Sequence, residues 1–114
     1  MQFMLILSED PNLIVTENDR KLAVQRVGEY AMGLLGDGVL TGGSPLHPID
    51  EAKKVSTRDG VRRVLDGPFA AGKEVIAGYF LVEAPDVGAA VAIASRCPNA
   101  EFGSVEVREI VPMG

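Results

Sequence analysis

The sequence predicts an α+β fold of the ferredoxin-like type, in which a β-hairpin is inserted into the element order βαββαβ. Two apolar runs without alternating polar residues, at positions 3–7 and 75–82, are typical of strands in the middle of a sheet. Each run is followed by a stretch with apolar residues at helical spacing, and an Asp59-Gly60 pair between two further strand-like stretches indicates a hairpin. Two βαβ units with right-handed crossovers would place both helices on one face of a mainly antiparallel sheet.

The first helix is predicted to begin at Thr16 and to close at Gly36. The Thr16 hydroxyl can accept a free backbone N–H, and Asp19 behind it meets the positive end of the helix. Apolar positions recur on one face at Ala23, Val27, Tyr30, Ala31 and Leu34. Gly28 and Gly33 inside the helix each cost about 1 kcal/mol relative to Ala. Either they permit close packing or the helix is loosely formed, and the sequence leaves both explanations open.

The middle of the chain is predicted to form a second strand and a hairpin arm. The strand opens at residues 39–41, and the glycines and proline of residues 42–45 interrupt it, which indicates a loop or a bulged edge. The arm covers residues 52–65. Because Pro68 offers no N–H to a neighbouring strand, the arm is expected to end at Asp66.

The last third of the chain repeats the order of strand, helix and strand. Residues 75–82 form the longest strand-like run, which is predicted to be the second central strand. Pro85 then provides a stop and Asp86 an N-cap for the second helix, which Pro98 ends. Residues 104–111 alternate between apolar and charged positions and are predicted to form the last strand.

Length, composition and charge restrict the class of protein. At 114 residues and 12.1 kDa, the chain is expected to form one domain over residues 1–114. No apolar run approaches the ~18–20 residues of a membrane span, and the apolar start lacks the basic segment of a signal peptide, so we expect a cytoplasmic protein. With one cysteine, Cys97, and one histidine, the sequence predicts no internal disulfide, no metal and no cofactor. The net charge of −5 argues against a nucleic-acid partner.

The pattern also predicts self-association. If both helices cover one sheet face, the other face is bare, and the two non-alternating strands make that face apolar as well. An apolar sheet face in so short a chain favours a partner. We therefore expect a symmetric homodimer in which two sheets pack face to face.

Short motifs along nearly the whole chain carry a family resemblance. They lie at residues 3–7, 38–43, 59–60, 66–69, 73–74, 78–81, 84–86, 96–98 and 103–108. Together they resemble the YCII-related proteins and, within them, the branch named after the Asp-Gly-Pro-Phe motif of residues 66–69. The resemblance implies a dimeric α-β barrel, and some members of this branch look like companions of extracytoplasmic-function sigma factors in bacteria.

The catalytic pair of the wider family cannot be carried over directly to this chain. In the wider YCII group, a histidine on the first helix and an aspartate near a cleft are regarded as an enzyme-like pair. Here the predicted first helix contains no histidine, and the single one, His47, follows the second strand. The pair therefore has no direct counterpart in this chain.

Three residues are candidates for catalysis. Asp66 could transfer a proton or anchor a ligand, although its carboxylate could equally cap the turn at residues 67–68. Lys73 could hold an anionic group or pair with Asp66, or it could be an exposed lysine before a strand. His47, in a loop stiffened by prolines, could act as an auxiliary acid or base, because histidine ionises near neutral pH, or it could be merely exposed.

Three further residues are candidates for ligand binding. Phe69 lies between the acid and the lysine of the turn, and Gly43 belongs to a glycine step whose N–H groups could cradle an anion. Tyr79 could direct its hydroxyl to a ligand, although a core position is the alternative. Cys97 is predicted to be a small buried hydrophobe and not a nucleophile.

Two functions are compatible with these residues. The first is a small-molecule-binding, enzyme-like homodimer whose cleft lies between the helices, the arm and the turn from Asp66 to Lys73. The second is a non-catalytic regulatory or partner-binding module, for example one that works beside an extracytoplasmic-function sigma factor. In the second case Asp66, Lys73 and Phe69 would serve folding or docking and not turnover.

Overall fold

The architecture is that of a computed structural model, which describes residues 1–69 and 73–113. Its elements are, in chain order, β1 (Gln2–Glu9), α1 (Glu17–Gly36), β2 (Leu40–Pro45), a short 3₁₀ helix (Ile49–Glu51), β3 (Lys53–Arg58), β4 (Val61–Asp66), β5 (Val75–Glu83), α2 (Val87–Ser95), α3 (Asn99–Phe102) and β6 (Gly103–Glu109). The predicted α+β class is confirmed. Within the described ranges, no helix has the length and apolar character needed to cross a membrane.

The main sheet has four antiparallel strands in the order β2-β5-β1-β6. The apolar runs at residues 3–7 and 75–82 lie in β1 and β5, which are the two inner strands, so their predicted central positions are confirmed. In the register of this sheet, Ile6 of β1 lies opposite Tyr79 of β5 and Glu106 of β6. The sheet therefore forms from strands at both ends of the chain.

The core lies on one face of this sheet. Burial alternates along β1, where Phe3, Leu5 and Leu7 are buried and the residues between them are half-buried. The side chains that pack with these from other elements include Leu34, Phe80, Val82, Ala90, Ile93 and Ala94. Both sides of β1 are apolar in sequence, but helices α1 and α2 pack on the Leu5 side.

Helix α1 begins and ends where the sequence predicts. Thr16 is its N-cap: the hydroxyl of Thr16 accepts the N–H of Asp19 at 3.0 Å, and the carboxylate of Asp19 accepts the N–H of Thr16 at 3.0 Å. A Cβ atom at Gly28 or Gly33 would meet no atom of the described residues within 4 Å. Close packing therefore does not explain these two glycines.

A buried tyrosine holds α1 against its neighbours. The hydroxyl of Tyr30 donates a hydrogen bond to the backbone oxygen of Ile93 in α2 at 2.7 Å. Its ring lies 5.9 Å from that of Phe80 on β5, at 57° to it. Burial raises the pKa of the Tyr30 phenol, so the hydroxyl stays a hydrogen-bond donor.

Strand β2 runs through the glycines that the sequence suggested as an interruption. The pairing of β2 with β5 shifts register between Leu40 and Gly42, which corresponds to the bulged edge and not to the loop. Gly43 has a φ of 135°, and a Cβ atom there would lie 2.5 Å from the backbone oxygen of Tyr79. A residue with a side chain would not fit this position.

The predicted hairpin is present as a separate two-stranded sheet of β3 and β4. Its tip residues Asp59 and Gly60 both have positive φ, at 53° and 76°, as a type I′ turn requires. Strand β4 ends at Asp66, which confirms the predicted end of the arm. The four-residue helix α3 was not predicted, because so short a segment carries no period of its own.

The capping box of α1 gives a stability prediction. Replacing Thr16 by Ala removes the side-chain acceptor at the helix start, and we expect it to cost about 1 kcal/mol in urea unfolding at about pH 7. Hydrogen bonds from the backbone N–H groups of Thr16 and Val15 lower the pKa of the Asp19 carboxyl. A lowered pKa stabilises the folded state above the pKa of the unfolded chain, and this stabilisation is lost as the pH falls through the folded pKa.

The control for this prediction is Asp19→Asn, which cannot titrate. The wild type should be more stable than Asp19→Asn at about pH 7, and the difference should shrink below about pH 4. A difference that stays constant down to acid pH would show that the Asp19 carboxylate does not stabilise the helix start.

Candidate functional site

A cleft of about 250 Å³ lies between α1 and one end of the main sheet. It is lined by Leu7, Glu9, Arg20, Ala23, Val24, Val27, Gly28, Ala31, Ser44, Pro45, Ala77, Gly78, Tyr79, Phe80, Asn99 and Phe102. Most of these residues are apolar, and the ion pair of Glu9 and Arg20 is the charged part of the lining. An apolar cavity with a few polar groups is the usual form of a small-molecule site.

The cleft exists because small residues face each other across it. Helix α1 contributes Ala23, Gly28 and Ala31, and β5 contributes Ala77 and Gly78. A larger side chain at Ala23 or Ala31 would narrow the space between helix and sheet, whereas a Cβ atom at Gly78 would meet the backbone oxygen of Ser44 at 3.0 Å. The cleft therefore follows from the choice of residues on two elements that are distant in sequence.

Glu9 enters the cleft because it continues the core-facing row of β1. Alternate residues of a strand share a face, so Glu9 follows Leu5 and Leu7 on the buried side of the sheet. Its side chain is 12% exposed. A carboxylate in such a position needs a charged or hydrogen-bonded partner.

Arg20, in the first turns of α1, supplies that partner. Its Nη1 donates to Oε2 of Glu9 at 3.0 Å and its Nη2 to Oε1 at 2.6 Å, so one guanidinium edge binds both carboxylate oxygens. The hydrogen bond to Glu9 raises the pKa of the Arg20 guanidinium, which therefore carries a fixed positive charge. The Arg20 side chain is 49% exposed, so the cation lies at the boundary between the cleft and solvent.

Two further polar residues of the lining, Asn99 and Ser44, are engaged within the chain. Asn99 donates from Nδ2 to the backbone oxygen of Ser8 at 3.1 Å, and the thiol of Cys97 points to its Oδ1 at 3.8 Å. The hydroxyl of Ser44 donates to the backbone oxygen of Pro45 at 3.0 Å. Burial raises the pKa of the Cys97 thiol, and the prediction that Cys97 is buried is confirmed.

Asp66 and Lys73 do not form an ion pair with each other, and neither residue lines the cleft. Asp66 accepts from Nζ of Lys53, its cross-strand neighbour, at 2.5 Å, and the Asp66 side chain is 77% exposed. Nζ of Lys73 lies 3.8 Å from Oδ2 of Asp10, and the Lys73 side chain is 78% exposed. In the described residues these two candidates therefore have different partners.

The other predicted site residues are also dispersed. His47 is 89% exposed, with its Nδ1 3.5 Å from the carboxylate of Glu51. Phe69 lies 4.6 Å below the ammonium of Lys54. Tyr79 is among the residues that line the cleft, but it alternates with the core-facing Phe80 and lies opposite Ile6, so its position on β5 belongs to the other face of the sheet. Gly43 lies in the edge strand β2.

The turn at residues 66–74 is described only in part, because residues 70–72 lie outside the described ranges. At its start, the N–H of Gly67 donates to the backbone oxygen of Ala52 at 2.7 Å. This bond closes the base of the arm, so residues 66–67 have a structural role there.

Sequence reasoning missed Glu9 and Arg20. The sequence does contain an indication for Glu9. Glu9 continues the alternate positions of β1 that face the core, and a carboxylate in such a position requires a partner. Arg20 had no comparable signal, because its contact with Glu9 depends on how α1 crosses the sheet. Within residues 1–69 and 73–113, no three His, Cys, Asp or Glu side chains converge as a metal ion would require.

Comparison with known proteins gives a family and a fold. The profile of the YCII-related domain matches residues 1–114. A solved structure of 5-chloro-2-hydroxyhydroquinone dehydrochlorinase from Burkholderia phenoliruptrix AC1100, in complex with 2,5-dihydroxybenzoquinone, is similar with a TM-score of 0.56 and 13% identity, covering 97% of this chain and 94% of that chain. At this identity the similarity shows the fold alone. No curated protein sequence matches this chain.

The ion pair in the cleft gives a second stability prediction. Arg20→Gln leaves the carboxylate of Glu9 buried without its partner, and we expect it to lower the free energy of unfolding by about 1–3 kcal/mol in urea. The matched control is Arg26→Gln on the same helix, which removes the ion pair of Arg26 with the exposed Glu101. That loss should stay below about 1 kcal/mol. Equal losses for the two variants would contradict a special role for the Glu9–Arg20 pair.

Proposed function

This chain belongs to the YCII-related family, and we propose that it binds a small organic molecule in the cleft between α1 and the sheet. The observation that carries the proposal is an apolar cleft with one fixed ion pair, Glu9 and Arg20, at its polar end. The dehydrochlorinase of the same fold was solved in complex with 2,5-dihydroxybenzoquinone, so this fold is able to hold a small organic molecule.

The size of the cleft restricts the ligand. At about 250 Å³ it is smaller than the ~300–1,000 Å³ of pockets for drug-sized ligands. A compound with a single ring fits such a volume. Apolar residues from α1 and β5 would contact the ring on opposite sides, since Val27 of α1 and Phe80 of β5 both line the cleft.

An enzyme-like role remains part of this proposal. In it, Asp66 transfers a proton, Lys73 stabilises charge and His47 assists as an acid or base. The contact of Lys73 with Asp10, the neighbour of Glu9 in the chain, links Lys73 to the end of β1 that lines the cleft. Lys73 is therefore the catalytic candidate that this geometry supports best.

The proposed assembly is a homodimer of ferredoxin-like subunits that pair into a dimeric α-β barrel. The strand order β2-β5-β1-β6, with α1 and α2 packed on one side, supports the subunit type. On the other side of the sheet lie the apolar residues Met4, Ile6, Tyr79 and Leu81, which alternate with the core-facing row. A second copy would cover this face by presenting the same patch. A cytoplasmic location belongs to the same proposal, which the single free cysteine supports.

The arm supports the alternative function, a regulatory or partner-binding module that works beside a transcription-related protein. Strands β3 and β4 pair only with each other among the described strands, and a lone two-stranded sheet is marginally stable in water. The arm also carries exposed apolar side chains at Val55, Val61, Val64 and Leu65, together with five basic and two acidic residues between Lys53 and Asp66. Such a surface fits an acidic protein partner.

A thermal-shift screen against small metabolites tests the cleft. A compound at about 100 times its dissociation constant should stabilise the wild type by about 2.7 kcal/mol. Gly28→Leu places a side chain in open space at the cleft and should abolish the response. Gly33→Leu is the matched control, because Gly33 is equally open on the same helix but does not line the cleft.

The same screen separates the two functions. Asp66→Asn and Lys73→Ala should keep the response if the cleft alone binds the compound, and loss in both would relocate the site to the turn. If no compound stabilises the wild type, the small-molecule proposal fails and the partner-binding module becomes the better account of the arm.

Light scattering on the purified protein tests the homodimer. We expect twice the mass of 12.1 kDa for the wild type and a monomer for Leu81→Arg, because a buried unpaired cation opposes sheet packing. Leu35→Arg, which changes an exposed leucine on α1, is the control and should remain dimeric. A monomeric wild type, or equal masses for the two variants, would contradict assembly through the sheet face.

A further inference from the structure

We infer that the ligand of the cleft is a small carboxylic acid with an apolar body, and that Arg20 binds its carboxylate. The inference rests on the proposed function, since it names the chemical class of the ligand for the same cleft. It starts from the observation that Glu9 accepts hydrogen bonds from the Nη1 and Nη2 atoms of Arg20.

An arginine has two edges that can each bind a carboxylate through two parallel hydrogen bonds. Glu9 occupies the edge formed by Nη1 and Nη2. The second edge consists of Nε and the adjacent N–H of Nη2. Within the part of the chain that the structure describes, the side-chain hydrogen bonds of Arg20 all go to Glu9, so this second edge keeps its two donors.

The other polar groups of the lining favour the same ligand class. The guanidinium of Arg20 already pairs with the charge of Glu9 through both carboxylate oxygens, so this carboxylate attracts a cationic ligand less than an unpaired acid would. Asn99 and Ser44 are engaged with backbone oxygens. The donors of Arg20 are therefore the groups most available to orient a ligand, and a planar carboxylate matches their geometry.

The bond to Glu9 also prepares Arg20 for this role. A free arginine loses side-chain entropy when it orders around a ligand, which weakens binding. Here two hydrogen bonds to a largely buried carboxylate fix the guanidinium before the ligand arrives. Glu9 is thus a positioning residue, and Arg20 is the residue that contacts the ligand.

The net charge of −5 works against an anionic ligand, but its effect is weaker than the local contact. At an ionic strength of about 0.15 M, exposed charges more than about 8 Å away are largely screened. The guanidinium would lie in direct contact with the ligand, where two charge-assisted hydrogen bonds form. The nearest opposing charge is the carboxylate of Glu9, which contacts the same guanidinium, so the preference rests on the two hydrogen bonds that the second edge of Arg20 offers.

Titration with benzoate and with benzamide tests the inference, because the two probes have the same ring and differ in charge. Binding is followed in ¹⁵N-labelled protein at constant ionic strength through the amide signals of Gly28 and Gly78, which line the cleft. Benzoate should bind with a dissociation constant about tenfold lower than that of benzamide.

Variants at Arg20 attribute this preference to its guanidinium. Arg20→Gln should bring the two dissociation constants together, and Arg20→Lys should retain only part of the preference, because lysine keeps the charge but lacks the two-pronged edge. Arg20→Lys also serves if Arg20→Gln does not fold. Arg26→Gln, on the same helix but outside the cleft, should bind both probes as the wild type does.

Each contrary outcome has a distinct meaning. If benzamide or another neutral compound binds the cleft as well as benzoate, or if Arg20→Gln keeps the preference, the carboxylate inference is overturned while the small-molecule function stands. If neither probe nor any compound of the metabolite screen binds the cleft, the proposed function fails and the inference fails with it.

Discussion

The alternation of β1 is the constraint on which the rest of this structure depends. Because successive residues of a strand point to opposite faces, the same geometry that buries Phe3, Leu5 and Leu7 also directs Glu9 toward the helices. A carboxylate at the end of an apolar row is costly to bury without a partner. Arg20 meets this need from the first turns of α1, so the ion pair joins the sheet to the start of the helix.

The cleft arises beside this ion pair because helix and sheet do not close completely. Further along α1, Tyr30 holds the helix to α2 and packs against Phe80. Closer to Arg20, small residues of α1 face small residues of β5, and space remains between them. One helix therefore combines a tightly packed half with a half that leaves room for a ligand. The ion pair, at the open half, supplies charge and hydrogen-bond donors where a ligand would bind.

The two faces of the sheet have different roles in this account. The Leu5 face is covered by α1 and α2 and contains the cleft, whereas the Ile6 face has half-buried apolar residues on β1 and β5 and the charged residues Glu106 and Arg108 on β6. The described helices therefore cover one of the two apolar sides of β1 and β5. The arm adds exposed apolar side chains on both of its faces, with Val55 and Val64 on one face and Val61 and Leu65 on the other.

The sequence by itself determined the features that depend on neighbouring residues. Thr16 and Asp86 cap helices through contacts three residues away, and Asp59 with Gly60 turns the hairpin through local backbone conformation. The continuous apolar runs likewise identified β1 and β5 as inner strands.

Tertiary structure decided what depends on distant residues. In sequence, Asp66 and Lys73 could form an ion pair. In the structure, the register of β3 and β4 places Asp66 beside Lys53, and Lys73 lies beside Asp10. The pairing of Glu9 with Arg20 and the gap beside them depend on how α1 crosses the sheet. No local pattern encodes that crossing, because it results from the packing of the whole core.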